Sequence, residues 1–280
     1  MTFCESLDVA EIDIIINPRP VVDISAFDGR VICRDINPVT QSTGEDTGPV
    51  VIETGLGPNA FTFSWTRDST ELSEDGPSLE VDEAGNYQVV VTANSSGCQS
   101  SGTAEILESN PPEFTVYKTS GPFTDAHSLN IDNIRGGGDY EFRVDNGPWI
   151  EVDSTGTISF DELQEGGHTV QGRDILGCGT TTSPINFIGY PDFFTPNQDG
   201  YNDRWNVVGL KGQPGAKIYI FDRYGKLLKQ LSPTGPGWDG TFNNKTMPSN
   251  DYWFKVEYMK RQSDGSTAPE DFKANFTLKR

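Results

Sequence analysis

Histidine is almost missing from this chain, with 2 residues in 280, and its 4 cysteines show neither Cys-x-x-Cys nor His-Glu-x-x-His spacing. Hydrolytic triads and zinc centres need those groups close together, so both are excluded as readings of this sequence. Long apolar runs are also absent. The longest pure aliphatic stretches are three residues, such as Ile14-Ile15-Ile16 and Val89-Val90-Val91, far short of the roughly 20 residues that span a bilayer as a helix. Helix formers are scarce: Ala and Leu total 23, against 61 for Val, Ile and Thr, which favour pleated sheet. Positive charge is short as well. Against 41 acidic side chains stand 21 basic ones, a net charge of −20, which disfavours nucleic acid and anionic lipid as partners. No basic residue precedes Arg19, so the start lacks a signal-peptide pattern, and the expectation is a segment of a longer exported chain. What remains plentiful is turn chemistry, with 30 Gly and 18 Pro. The expected class is all-β.

Three stretches repeat a turn followed by an alternating strand: Ala84-Gly85-Asn86-Tyr87-Gln88-Val89, Gly166-Gly167-His168-Thr169-Val170 and Ser249-Asn250-Asp251-Tyr252-Trp253-Phe254. Their anchors, 87, 168 and 252, lie 81 and 84 residues apart. Cys4, Cys98 and Cys178 recur in step, each ahead of a strand-like run and then a proline: Pro18, Pro111 and Pro191. Such a period, with many short strands, predicts tandem β-sandwich modules. The expected boundaries are 1–18, the closing strand of an upstream module, then 19–109, 110–189 and 190–280.

Within 19–109, Cys33, Trp65 and Asp82-x-x-Gly85-x-Tyr87 follow the order of immunoglobulin-like domains, which this stretch resembles. There a central Trp packs between two sheets and a Tyr bonds back to the backbone as a corner. Cys98 falls eleven residues after Tyr87, beyond the antibody spacing. A disulfide between Cys33 and Cys98 would join strand B to the start of the last strand in an oxidising compartment, with two buried thiols as the alternative. In 110–189, Tyr140 to Val144 alternates into the hairpin signal Asn146-Gly147. Its end, Gly172 to Gly179, resembles the repeat modules of bacterial gliding adhesins. Cys178 has no partner within that module and is expected to be unpaired, as is Cys4.

Charge breaks near residue 190: residues 1–189 carry 31 acidic and 8 basic side chains, and 190–280 carry 10 and 13. Strands are predicted at 204–208, 216–222, 227–231, 252–259 and 271–278. The motifs Phe193-Phe194-Thr195-Pro196-Asn197-Gln198-Asp199-Gly200-Tyr201-Asn202-Asp203-Arg204-Trp205, Ile218 to Leu228, Gly237-Trp238-Asp239-Gly240, Asp251-Tyr252-Trp253-Phe254 and the terminal Phe272 to Arg280 resemble the gliding-motility-associated carboxy-terminal domain, the type B sorting domain of the type IX secretion system. Gln198 and Ala274 stand where that family usually has Gly. The resemblance implies a folded export and surface-attachment signal, recognised by the type IX secretion machinery at the outer membrane, and so an extracellular or cell-surface location.

His168, at the Tyr87 position of the repeat, is expected to form a structural corner, and His127 to sit in a solvated polar loop. Gly136-Gly137-Gly138 lacks the following Lys-Ser/Thr and helix of a phosphate cradle, so turn geometry accounts for it. The acidic pairs Glu74-Asp75 and Asp161-Glu162 read as solvated faces. Thr195, Asn197, Asp199, Gly200 and Asp203 align with positions 1, 3, 5, 6 and 9 of a calcium loop, but Asn206 replaces the bidentate Glu. Asn197, Asp199 and Asp203 are thus candidate calcium ligands, against an Asx-rich turn bonding its own backbone. Trp149 and Trp238 are candidate sugar-stacking residues, against plain packing. The function expected is a non-enzymatic, adhesin-like surface protein without a cofactor, whose partners beyond the secretion machinery are surface glycans or other cells. The alternatives are the tail of an exported hydrolase and a carbohydrate-binding module.

Overall fold

The computed structural model describes residues 16–34, 48–152, 156–213, 215–262 and 265–280. Cys4 and the strand expected at 9–16, apart from the exposed Ile16, lie outside the described residues. Described secondary structure is strand apart from one 3-10 turn, Ser25–Phe27. The fold is all-β.

The first sandwich holds β1 (Arg30–Cys33), β2 (Val50–Glu53), β3 (Phe61–Arg67), β4 (Thr70–Glu71), β5 (Ser78–Val81), β6 (Gly85–Ala93) and β7 (Gln99–Ser109). One sheet runs β1-β7-β6-β3-β4 and a second pairs β2 with β5. Period-2 alternation sends Tyr87, Val89 and Val91 of β6 inward with Phe63 and Trp65 of β3, and exposes Asn86 and Gln88 together with Thr62 and Ser64 on the outer face of the same sheet. Trp65 is fully buried and its indole N–H donates to Gly76 O at 2.9 Å, so the largest core side chain leaves no polar atom unpaired. Tyr87 donates to Glu83 O at 2.8 Å, and burial pushes its pKa up. This is the corner expected from the sequence.

The expected Cys33–Cys98 disulfide is corrected by strand register. Cys33 lies opposite Ser109, at the end of β7, whereas Cys98 lies just before its start. Eleven residues of strand put them about 35 Å apart, far beyond the ~7 Å reach of a disulfide between Cα atoms. Cys33 is bonded instead to Cys178, with Cα atoms 5.1 Å apart, and Cys98 is a half-buried free thiol. Cys178 is therefore not unpaired.

The second sandwich holds β8 (Glu113–Lys118), β9 (His127–Arg135), β10 (Tyr140–Val144), β11 (Ile150–Glu151), β12 (Ile158–Leu163), β13 (Gly166–Asp174) and β14 (Thr180–Phe187), in sheets β11-β10-β13-β14 and β12-β9-β8. The Asn146-Gly147 signal does turn β10 into antiparallel β11. His168 forms its corner: Nε2 meets Gln164 O at 2.9 Å, four residues back as in Tyr87, and Nδ1 meets Asp145 at 2.7 Å. Partial burial works against the charge of Asp145, yet hydrogen bonds from Thr169 N–H and His168 hold its pKa below the usual value.

The solvated-loop expectation for His127 is overturned. The ring is 2% exposed and stacks on Phe187 at 4.7 Å, with Nδ1 3.2 Å from Ser120 Oγ and 3.1 Å from Thr124 Oγ1. Alternation along β9 turns His127 inward with Leu129 and Ile131, and burial pulls its pKa down.

The terminal region holds β15 (Phe193–Phe194), β16 (Lys217–Phe221), β17 (Leu227–Leu231), β18 (Thr241–Phe242), β19 (Lys245–Thr246), β20 (Asn250–Arg261) and β21 (Thr267–Leu278). They form a five-stranded sheet, β15-β21-β20-β16-β17, and the small pair β18-β19. The strand expected at 204–208 is absent. Trp205 and Val208 make only isolated bridges, to Trp238 and Gly189, while the side chains of Trp205 and Val207 are buried in the core.

Two compact units result. The first comprises the first sandwich together with Asp174–Gly179, the turn between β13 and β14 that carries Cys178. The second comprises Pro112–Arg173 and Thr180–Arg280.

Candidate functional site

In the terminal region the strand that ends the sequence is an inner one. β21 lies between β15, which it pairs in parallel through Phe193↔Thr277 and Phe194↔Leu278, and β20, which it pairs antiparallel along twelve positions. Phe276 and Leu278 therefore point into the core and are at most 1% exposed.

The motif residues meet there. Trp205 stacks on Phe276 with ring centroids 3.8 Å apart, Trp238 packs edge-on against Tyr252 at 5.0 Å, and Phe194 lies 5.6 Å from Trp238. Each indole finds a carbonyl: Trp205 Nε1 donates to Pro191 O at 2.7 Å and Trp238 Nε1 to Thr241 O at 2.8 Å. The segments around the two tryptophans are locked by reciprocal backbone bonds of 2.9 and 2.8 Å. Trp238 is 1% exposed, which removes it as a sugar-stacking residue. Tyr252 repeats the corner, its hydroxyl donating to Pro248 O at 2.8 Å, four residues back.

Gly240 shows why the Gly-Trp-Asp-Gly motif ends in glycine. Its φ is +74°, and a Cβ would sit 2.7 Å from Leu278 Cδ1. Asp239 between them accepts from the Thr241 hydroxyl at 2.7 Å and from its N–H at 3.1 Å, and these bonds hold its carboxyl below the usual range. Arg280, the last residue, ties the motifs together by donating to Met247 O, Gly240 O and Pro196 O at 3.0, 3.1 and 3.4 Å. Nothing in the residue pattern singles out that clamp, since a terminal arginine reads as solvated.

The candidate calcium residues do come together in one loop, but their oxygens are engaged within it. Asp203 accepts backbone N–H bonds from Gln198 at 2.6 Å and Gly200 at 2.8 Å, one on each carboxylate oxygen. Asp199 Oδ1 accepts from Tyr201 N at 2.8 Å, its other oxygen accepts from Asn197 Nδ2, and Asn197 Oδ1 accepts from Asp199 N. The Tyr201 bond leads the effects that lower the pKa of Asp199. A cation would have to compete for lone pairs already in use. Titrating the protein with millimolar calcium in a calorimeter is expected to release no binding heat; a saturable signal lost in Asp203→Asn would instead establish a metal loop.

Other motif residues stay at the surface of the terminal region. Tyr201, Tyr224, Phe193, Leu227 and Trp253 are exposed, with Lys279 4.0 Å over the Phe193 ring and Arg223 4.9 Å over that of Tyr224. On the second sandwich, the sugar-stacking candidate Trp149 is half-buried under two guanidinium groups, Arg143 at 4.4 Å and Arg173 at 4.3 Å. Stacking on a pyranose would have to displace those contacts.

The region is also welded to the second sandwich. Phe123, in the loop between β8 and β9, stacks on Phe272 at 4.1 Å and meets Tyr258 edge-on at 5.5 Å, while its N–H donates to Ile188 O at 2.8 Å. Gly189 and Val208 exchange backbone bonds, and Asn186 Nδ2 donates to Gly209 O at 2.8 Å. At Gly209, φ +80°, a Cβ would collide with Phe187 O at 2.1 Å. Phe123 itself has φ +59°, an uncommon conformation for a bulky residue, held by these contacts. Sequence reasoning missed it; its only trace is an aromatic side chain in an otherwise polar turn.

Comparison with known proteins gives residues 188–269 as a match to the CHU_C type IX secretion signal domain. No curated protein matches the chain. Among solved structures, an I-band fragment of titin is 15% identical, covering 85% of this chain and 94% of that one, with a TM-score of 0.34. The three N-terminal domains of the bacteriophage RB49 outer capsid protein Hoc are 12% identical over 84% and 94%, with a TM-score of 0.28. Fibronectin(III)-like modules of Clostridium thermocellum CbhA are 13% identical over 59% and 92%, with a TM-score of 0.31. The secretion signal domain marks the chain for export to the cell surface or the extracellular space.

Proposed function

We propose that this exported chain, whose residues 188–269 match a type IX secretion signal domain, is a non-enzymatic, adhesin-like surface protein. Residues 19–109 and 110–189 act as stalk modules, and 190–280 as the folded signal for secretion and attachment. The observation that carries the reading is the convergence of the signal domain's motif residues, Phe194, Trp205, Trp238, Tyr252, Phe254 and Phe276, on one buried aromatic core. A signal built this way is read as a folded surface and not as a linear peptide. Supporting the stalk role, residues 1–189 hold 31 acidic and 8 basic side chains, a charge that keeps modules soluble and apart outside the cell. Its partners are the type IX secretion machinery and, at the surface, glycans or other cells.

The test places the chain behind a signal peptide and fuses a fluorescent reporter between the two. The reporter is expected outside the cell when the type IX machinery is intact and inside when it is disabled. Equal release from both strains would end the reading, as would turnover of a substrate by the purified chain.

A further inference from the structure

The second unit contains a cleft of about 710 Å³ between the second sandwich and the terminal sheet, walled by β8, the end of β14, and the β20–β21 hairpin. That volume is within the usual range for small-ligand sites. Its lining runs against the composition of the chain. Acidic residues outnumber basic ones 41 to 21 overall, yet the described lining carries Lys118, Lys260 and Arg261 and no Asp or Glu.

Of the three cations, Lys260 is paired with Glu270 at 3.0 Å. Lys118 and Arg261 have no ion-pair partner among the described residues. The Lys118 ammonium lies 5.6 Å over the face of Phe187, and burial pulls its pKa below the ordinary lysine value. Both side chains are exposed, and two cations without a counter-charge on one cleft wall give an anion an attractive field. The rest of the wall is suited to a sugar ring. Tyr117, 40% exposed, gives a flat ring face for the C–H side of a pyranose, and Met259, 43% exposed, adds an adaptable apolar contact beside it. Gln213 Oε1 accepts from Met259 N at 2.8 Å, which orients its amide group and leaves NH₂ donors for hydroxyl oxygens. An acidic peptide would satisfy the cations but has no ring face to set against Tyr117.

We infer that this cleft binds an acidic saccharide, with Lys118 and Arg261 holding its carboxylate or sulfate group and Tyr117 and Met259 its ring. This goes beyond the export reading and does not depend on it, because the binding is measured on purified protein.

The full chain is titrated with tetragalacturonate, with neutral maltotetraose, and with tetraglutamate. The expected result is saturable binding of tetragalacturonate, weakened about tenfold by Lys118→Ala or Arg261→Ala and weakened further as salt is raised. Maltotetraose and tetraglutamate are expected to bind at least tenfold more weakly. No binding of tetragalacturonate overturns the proposal. So does equal binding of maltotetraose, which would reduce the site to stacking, or equal binding of tetraglutamate, which would reduce it to charge. Binding unchanged in both variants would place the sugar elsewhere and overturn it too. Unchanged circular dichroism of the variants separates lost binding from lost fold. A parallel titration with acidic polysaccharide from the producing cell's own surface distinguishes a self-glycan from a foreign one.

Discussion

Trp205→Ala is expected to unfold the terminal region and stop export. Trp205 is fully buried, stacks on Phe276 at 3.8 Å and spends its indole N–H on Pro191 O. Truncating a buried tryptophan costs about 3–5 kcal/mol through lost transfer energy and the cavity left behind. A small domain holds only about 5–15 kcal/mol in total. The loss also exposes Pro191 O without a donor and loosens the reciprocal backbone bonds to Trp238. Denaturant titration followed by tryptophan fluorescence, alongside the reporter assay, measures both consequences. Trp253→Ala is the comparison. Its side chain is 49% exposed, on the opposite sheet face, and surface substitutions usually stay within about ±0.5 kcal/mol. Full stability and secretion in Trp205→Ala would show that the aromatic core is not what holds the signal in its readable shape.

The second large effect is expected from the disulfide. Cys33 and Cys178 are 145 residues apart, and in the chain-entropy account a closed loop of that length stabilises by about 5 kcal/mol. A double Cys33→Ser, Cys178→Ser variant is expected to unfold at clearly lower denaturant concentration than the parent, with the loss appearing in the transition that includes the first sandwich. Around the bond, Ser109 Oγ donates to Asp174 Oδ1 at 2.6 Å, and Asp174 Oδ2 accepts from Cys178 N at 2.9 Å. That buried network keeps the β13–β14 turn in place but does not replace a covalent tie. Digestion without reduction should yield one linked peptide pair containing Cys33 and Cys178, with Cys98 open to alkylation. A Cys33–Cys98 pair in that digest would contradict the register of β1 on β7.

Much of the fold is legible in residue order because it is made of local signals. Alternation along Tyr87 to Val91 and along Tyr252 to Tyr258 writes the buried face of two long strands, and the glycine and Asx turns between strands follow from backbone preference. The corner motif is local too: Tyr87, His168 and Tyr252 each reach a carbonyl four residues earlier, so a repeat of 81 and 84 residues predicts three equivalent bonds. The candidate site was legible in part. Its motifs name the aromatic core, while the calcium reading arose because a cation loop and an Asx turn use the same oxygen-bearing residues. Only the direction of the Asp203 and Asp199 oxygens separates them.

Residue order alone thus carries an all-β chain, its turns and corners, its uneven charge and the motifs of the terminal domain. The tertiary structure alone decided that Cys33 meets Cys178, that His127 is buried, that Phe123 stacks on Phe272, and that Arg280 reaches three other segments. Each of those depends on contacts between residues tens to more than a hundred positions apart or on which face of a sandwich is covered. Side-chain alternation and turn preference act over a few residues, and so carry no information about which distant segments come together.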